Sequence, residues 1–412
     1  MTPPETARDL PPAPESAHLR STGRSRFVGA MFLMATSAIG PGFLTQTSEF
    51  TDRLRAAFAF AILASVLIDI AVQMNVWRIV GVSGRRAQDL ANQAVPRSGY
   101  LLAGLDVFGG LVFNIGNIAG TSLGLAAIFG LDIEIGAALS AGFAIVVFLV
   151  RRAGLAMDYL VVLLGIVMIA LTTYVAVSSE PPYGEALRQT VAPETVNLLV
   201  ITTLVGGTVG GYIVYAGAHR LVDNGVRGKE NVPAITRASI TGIAITALMR
   251  VLLFLAILGV VEAGANLDPA DPTGSAFDAA LGTAGEVVFG VVIWSAAITS
   301  VVGASYTSVS FLKVFGRWVT EYERWVVVAF IAVSLGLFLL LGAEPVRLLI
   351  FAGAVNGLII PFGFGLLLWV AARRSDLMDG YRYPRWLLVV GVVAWLCGVY
   401  LGYELLTMLG DL

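Results

Sequence analysis

Two stretches of this sequence place helix-breaking residues and polar side chains inside otherwise apolar runs. The first is Gly40-Pro41-Gly42-Phe43, followed by Thr45-Gln46-Thr47-Ser48. Proline removes a backbone donor and clashes with the preceding turn, and flanking glycines ease unwinding. The second is Gly206-Gly207-Thr208-Val209-Gly210-Gly211-Tyr212, with Tyr215 a turn beyond. Opening a helix at such points frees carbonyls and leaves half-helix N-termini, which attract carboxylates and other anions. That chemistry holds and releases a solute rather than breaking bonds. An intramembrane enzyme needs a nucleophile–base set or a metal pattern. The histidines are His18 and His219, the one cysteine is Cys397, and His-Glu-x-x-His is absent. We therefore expect no enzyme, no resident metal and no cofactor.

Four ionisable residues inside or beside apolar runs invite coupling or gating roles. Arg250 lies near the centre of one run, where a charge costs roughly 2.5–3.5 kcal/mol on insertion scales. It needs a partner, and Asp69 in the middle of another run is the candidate; otherwise Arg250 faces a cavity as an anion ligand. Glu49 is placed to gate one mouth or take a proton. His219 titrates near neutral pH in its free form, so it carries a proton or makes a loop contact.

The elements that position these residues are membrane spans. Of 412 residues, 57% are hydrophobic and 13% charged. A soluble domain carries about 25% charged residues, so lipid is the solvent for most of this chain. A net charge of −2 speaks against a nucleic-acid partner. A span needs roughly 20 mostly apolar residues. Eleven segments qualify: 27–50, 56–80, 99–129, 135–150, 156–177, 195–218, 235–262, 286–312, 325–342, 346–372 and 386–408. The expected fold is all-α and polytopic, one transmembrane domain over 27–408. Residues 1–26, with five prolines, read as a disordered cytoplasmic tail. The stretch 263–283 reads as a loop. Arginines crowd the loops of one side and acids those of the other, which predicts an inner membrane protein with its N-terminus cytoplasmic and its C-terminus outside.

The two breaks fall in spans one and six, at matching places. Matching interruptions point to an inverted repeat with a midplane site. Spans one to five (27–177) form one half and six to ten (195–372) the other. An odd number per half sets them in opposite orientations, and span eleven (386–408) lies outside the repeat.

On the residues so far, and on Val82-Ser83-Gly84-Arg85, Glu344-Pro345-Val346-Arg347-Leu348-Leu349 and Ser375-Asp376-Leu377-Met378, the chain resembles the Nramp family (natural-resistance-associated macrophage proteins). The resemblance implies a LeuT-type 5+5 inverted repeat, discontinuous helices one and six, and proton-coupled divalent-metal import. The family's Asp-Pro-Gly-Asn falls on Gly40, Pro41, Gly42 and Phe43. Its Met-Pro-His-Asn falls on Gly210, Gly211, Tyr212 and Ile213. Its span-three acids fall on Asn114 and Asn117, and a span-ten glutamine on Gly353. The metal ligands are therefore replaced. The site then consists of Gly40, Pro41, Gly42, Phe43, Thr45, Gln46, Asn114, Asn117, Thr208, Gly210, Gly211, Tyr212, Tyr215 and Gly353. In LeuT-type symporters span eight supplies hydroxyls to sodium, which would make Thr299 and Ser300 cation ligands; the alternative is bonding to their own helix. A dehydrated divalent cation needs anionic or soft donors. The expected function is therefore ion-coupled symport, with proton or sodium, of a small organic solute such as a carboxylate. Divalent-metal import through carbonyls and water is the competing expectation, and a membrane sensor of the same fold the third. Oligomeric state is not legible.

Overall fold

The structure is a computed structural model that describes residues 23–149, 153–269, 271–341 and 345–410. Most of the expected tail, 1–22, and Glu344 of the span-ten motif lie outside the described residues. Helix begins at Gly23, so positions 23–26, expected to be disordered, already belong to span one.

Each apolar segment read from the sequence holds helix. Span one is α1 (Gly23–Ala38) and α2 (Pro41–Leu54); span two is α3 (Phe58–Ser83). A short α4 (Ala87–Ala94) precedes span three, α5 (Ser98–Phe129). Then follow α6 (Ile133–Leu149) and α7 (Ala153–Ser178), and a short α8 (Tyr183–Val191). Span six is α9 (Leu198–Val209) and α10 (Tyr212–Asp223), and span seven is α11 (Val232–Glu262). The stretch expected to be a loop contains α12 (Pro272–Leu281). Asp271 caps it by accepting from Gly274 N–H at 2.9 Å, and Phe277 is fully buried. Asp-Pro pairs disguise a capped helix start as a turn. The rest are α13 (Thr283–Leu312), α14 (Arg317–Glu321), α15 (Glu323–Leu341), α16 (Pro345–Arg373) and α17 (Arg385–Gly410).

By length and composition, eight stretches among the described residues would cross a membrane, or nine with a bent pair, against the eleven expected. The pair is α7 and α8, which meet at 110°. The half-helix Phe27–Ala38 and the 17-residue α6 are apolar but shorter.

Two packed sets emerge. Spans one, two, six and seven contact one another, through α1 with α10 and α11, and α3 with α9 and α11. Spans three, four, eight and nine form the other set, built on the contact of α5 with α13. Small residues allow that approach: a Cβ on Gly124 of α5 would meet Trp294 and the Gly290 carbonyl of α13 within 3.0 Å. The two breaks lie where these sets face each other.

Candidate substrate site at two broken helices

The first break is narrower than its sequence suggested. Gly40 is extended (φ −103°, ψ −178°), and Pro41 starts α2. Proline tolerates that first-turn position because its missing N–H has no helical acceptor there. The second break is Gly210 and Gly211, the latter at φ +47°. A side chain on Gly211 would be strained by that conformation and would run into Asn356 Oδ1. Four backbone ends thus converge: the carbonyl ends of α1 and α9 and the N–H ends of α2 and α10.

Tyr212, the first residue of α10, ties the centre together. Its hydroxyl lies 3.5 Å from the Ser37 carbonyl of α1 and 3.4 Å from Ser300 Oγ of α13. Ser300 also donates to the Ser37 carbonyl at 3.1 Å. Thr299 instead bonds back to the carbonyls of Ser295 and Ala296. Gly40 faces this cluster. A Cβ there would lie 3.0 Å from Ser300 Oγ and 3.1 Å from Asn117 Oδ1. Asn117 is fully buried, and neither its oxygen nor its nitrogen has a protein partner.

Gln46 of α2 is likewise fully buried with both amide atoms unpartnered. It occupies the room beside two glycines. A Cβ on Gly207 would lie 2.6 Å from its Oε1, and one on Gly353 would run into its Nε2. Thr45 is buried one residue away, and Gly42 packs on the Leu349 carbonyl.

Arg250 is buried with its guanidinium 4.1 Å from the centre of the Phe43 ring, a cation–π contact. Nη2 donates to Thr208 Oγ1 at 3.2 Å, while Nη1 has no protein partner. Thr208 Oγ1 in turn donates to the Leu204 carbonyl at 2.9 Å, and the charge of Asp69 acts on Arg250. Among the described residues no direct ion pair joins Arg250 and Asp69, so the expected pair acts through charge rather than contact.

Other expected residues sit away from the breaks. Asn114 donates to Ser334 Oγ of α15 at 3.0 Å. Glu49 pairs with Arg53 of its own helix at 2.5 Å. Tyr215 meets Phe311 edge-on and His219 at a tilt, with centroids 5.1 and 5.8 Å away. His219 is fully buried; its Nε2 accepts from Ala87 N–H at 3.2 Å and its Nδ1 lies 3.1 Å from Ser310 Oγ. An accepting nitrogen carries no proton, so His219 serves here as an anchor rather than a proton carrier. It belongs to a latch that sequence reasoning missed, at the arginine-rich end. Arg86 pairs with Asp223, Tyr306 donates to Asp223, and Arg86 donates to Ser310 at 3.1 Å. Ser37 and Asn356 were also missed: the first acts through its carbonyl, and the second lies in span ten without a motif.

Among the described residues, no group of three or more His, Cys, Asp or Glu is placed to hold a metal. Residues 31–408 match the family model "Natural resistance-associated macrophage protein-like". This chain belongs to the Nramp family. Nramp relatives are close and distant. A Bacillus subtilis protein named "Uncharacterized membrane protein YcsG" is 49% identical over 94% of this chain and 96% of its own length. "Divalent metal cation transporter MntH" of Brucella suis is 25% identical, over 52% of this chain and 49% of its own. Among solved structures, an Eremococcus coleocola manganese transporter superposes with TM-score 0.72 at 15% identity, covering 92% of this chain and 85% of that one. MhsT in complex with L-phenylalanine superposes with TM-score 0.67 at 16% identity, covering 91% and 97%. The Nramp chain is therefore a multi-pass membrane transporter with the LeuT-type fold, not an enzyme.

Proposed function

We propose that this Nramp transporter moves a small organic solute, a carboxylate by preference, by ion-coupled alternating access. One observation carries the reading: the donors at the two breaks are carbonyls, hydroxyls, amides and one guanidinium with a free amino group. Neither break carries a carboxylate, a methionine or a histidine side chain. Gln46, Asn117 and Arg250 Nη1 are buried donors without protein partners, and such groups are costly unless a ligand satisfies them. Two half-helix N-termini add to the attraction for an anionic group. The fold itself does not choose the cargo: the compared structures include a manganese transporter and a complex with L-phenylalanine.

Divalent-metal transport is the second reading, favoured by the family and by the named activity of the Brucella relative. It requires a doubly charged ion to be held by neutral oxygens. The test is reconstitution in liposomes. Manganese, magnesium and a panel of small carboxylates are offered with and without proton or sodium gradients. Saturable, gradient-dependent carboxylate uptake, lost in Arg250→Gln, supports the organic reading. Saturable manganese uptake without it overturns that reading. Binding without flux makes the protein a sensor. We further propose insertion in the plasma membrane with the arginine-rich face, and the N-terminus, in the cytoplasm.

A further inference from the structure

One cavity lies outside the transport site altogether. It measures about 340 Å³ and sits where α8 crosses α3 and α11. Leu63 and Val66 of α3, Ala247 and Val251 of α11, and Tyr183 and Leu187 of α8 form its walls. The lining is almost wholly apolar. Thr190 adds a hydroxyl, but that group already donates to the Ala186 carbonyl at 2.8 Å. A cavity of this size suits a ligand, and walls of this kind repel an ion or a strongly polar solute.

The placement of α8 shows what enters. It turns 110° from α7, so it runs across the direction of the spans. Ala186 and Gln189 form its buried side. Tyr183, Leu187 and Val191, one turn apart, are all more than half exposed. In a membrane protein such an apolar stripe sits in lipid, as an interfacial helix does. The cavity is continuous with that lipid-facing surface, because Leu67 of α3 and Leu248 and Val251 of α11 are exposed as well. An acyl chain is the apolar ligand that this surface always meets. Charge selects the kind of lipid. The charged residues at α8 are Arg188, Glu185 and Glu194, and the arginine is shared by both carboxylates at 2.6 Å. The acidic excess repels a fatty-acid carboxylate and suits the ammonium of a zwitterionic headgroup.

The position bears on the moving helices. Val66 lies one turn before Asp69, and Val251 follows Arg250. Phe254, also in the cavity wall, meets Phe58 edge-on at 5.8 Å, and Phe58 meets Phe50 of α2 at 6.0 Å. A chain in the cavity therefore touches the two helices that hold the buried charges and, through three rings, the second half of broken span one.

We propose that this cavity is a lipid site that takes one acyl chain of a zwitterionic phospholipid from the leaflet opposite the arginine-rich face. The inference goes beyond the transport reading and does not depend on the cargo. Full-length protein is reconstituted in phosphatidylcholine nanodiscs doped with phosphatidylethanolamine that bears a diazirine in its acyl chain, and photo-adducts are mapped by peptide mass spectrometry. Adducts on residues 59–66 and 247–255 should saturate as the dose rises, while those at exposed Leu340 of α15 should rise in proportion to it. Ala247→Trp, which fills the cavity, should lose the first set and keep the second. Leu187→Glu, which puts a charge at the exposed rim, should do the same and serves if Ala247→Trp does not fold. Dose-proportional labelling at both places overturns the proposal, since these helices then meet only bulk lipid. So does saturable labelling that survives the folded variants. A diazirine fatty acid that saturates the site where the phospholipid does not also overturns it, and makes the ligand a free fatty acid. Failed carboxylate uptake in liposomes would leave these adducts unaffected, so the two proposals fail separately.

Discussion

Gly40 shows how tightly single residues are specified at the centre of the molecule. A Cβ there would press on Ser300 Oγ and Asn117 Oδ1. Gly40→Ala should therefore cost about 1–3 kcal/mol. A thermal melt in detergent should show the loss, and Ser300→Ala in the same chain should recover part of it. Arg250 presents the opposite case, a charge already inside. Removing one member of a buried ionic set destabilises by roughly 3–5 kcal/mol. Arg250→Gln and Asp69→Asn should each lower the melting temperature, and the double variant should lose less than their sum. Additivity would mean that the two charges are not coupled. The sequence disclosed that Arg250 and Asp69 belong together, because two charges in apolar runs have few alternatives. The Thr208 hydroxyl that accepts from Arg250 was hidden in a motif read only as a helix break.

At the scale of elements, the breaks were legible because glycine and proline act locally, through the φ angles they permit. The short helices were not. The helix α12 starts at an Asp-Pro pair that reads as a turn until the cap is seen. Asp271→Ala should cost about 1 kcal/mol and Asp271→Asn much less, measured by hydrogen exchange at 274–281. The helix α8 is held by Arg188, which pairs with Glu185 and Glu194 at 2.6 Å. Hydrogen bonds from Arg188 and Gln189 hold the Glu185 carboxyl down at about 2. A depressed carboxylate contributes above its ordinary range, and the contribution fades only as pH falls through the depressed value. Exchange protection of α8 should thus stay constant between about pH 5 and about pH 8. A loss within that window would point to a different anchor. The latch at the far end was invisible for another reason. Arg86, Asp223 and Tyr306 are distant in sequence, and only the packing of α10, α13 and the start of α4 brings them together.

For the whole molecule, composition sufficed to assign lipid as the solvent, and the paired breaks sufficed for the repeat. The span count was less secure, since broken and short helices fall below any length rule. Orientation rests on arginine asymmetry alone and has a direct check. With Cys397 replaced by serine, a cysteine at Gly228 should react with an impermeant maleimide only after the membrane is opened. One at Ser275 should react in intact cells. The reverse pattern would invert the topology. For the site the sequence offered an expectation by subtraction, from the ligands that the resemblance finds missing. It could not show that Gln46 fills the room beside Gly207 and Gly353, because the three residues come from α2, α9 and α16.

That interlocking sets an order for substitution. With Gln46 lodged against Gly353, a larger residue at 353 has nowhere to go until Gln46 shrinks. Enlarging position 353 therefore becomes tolerable only after Gln46 has been shortened.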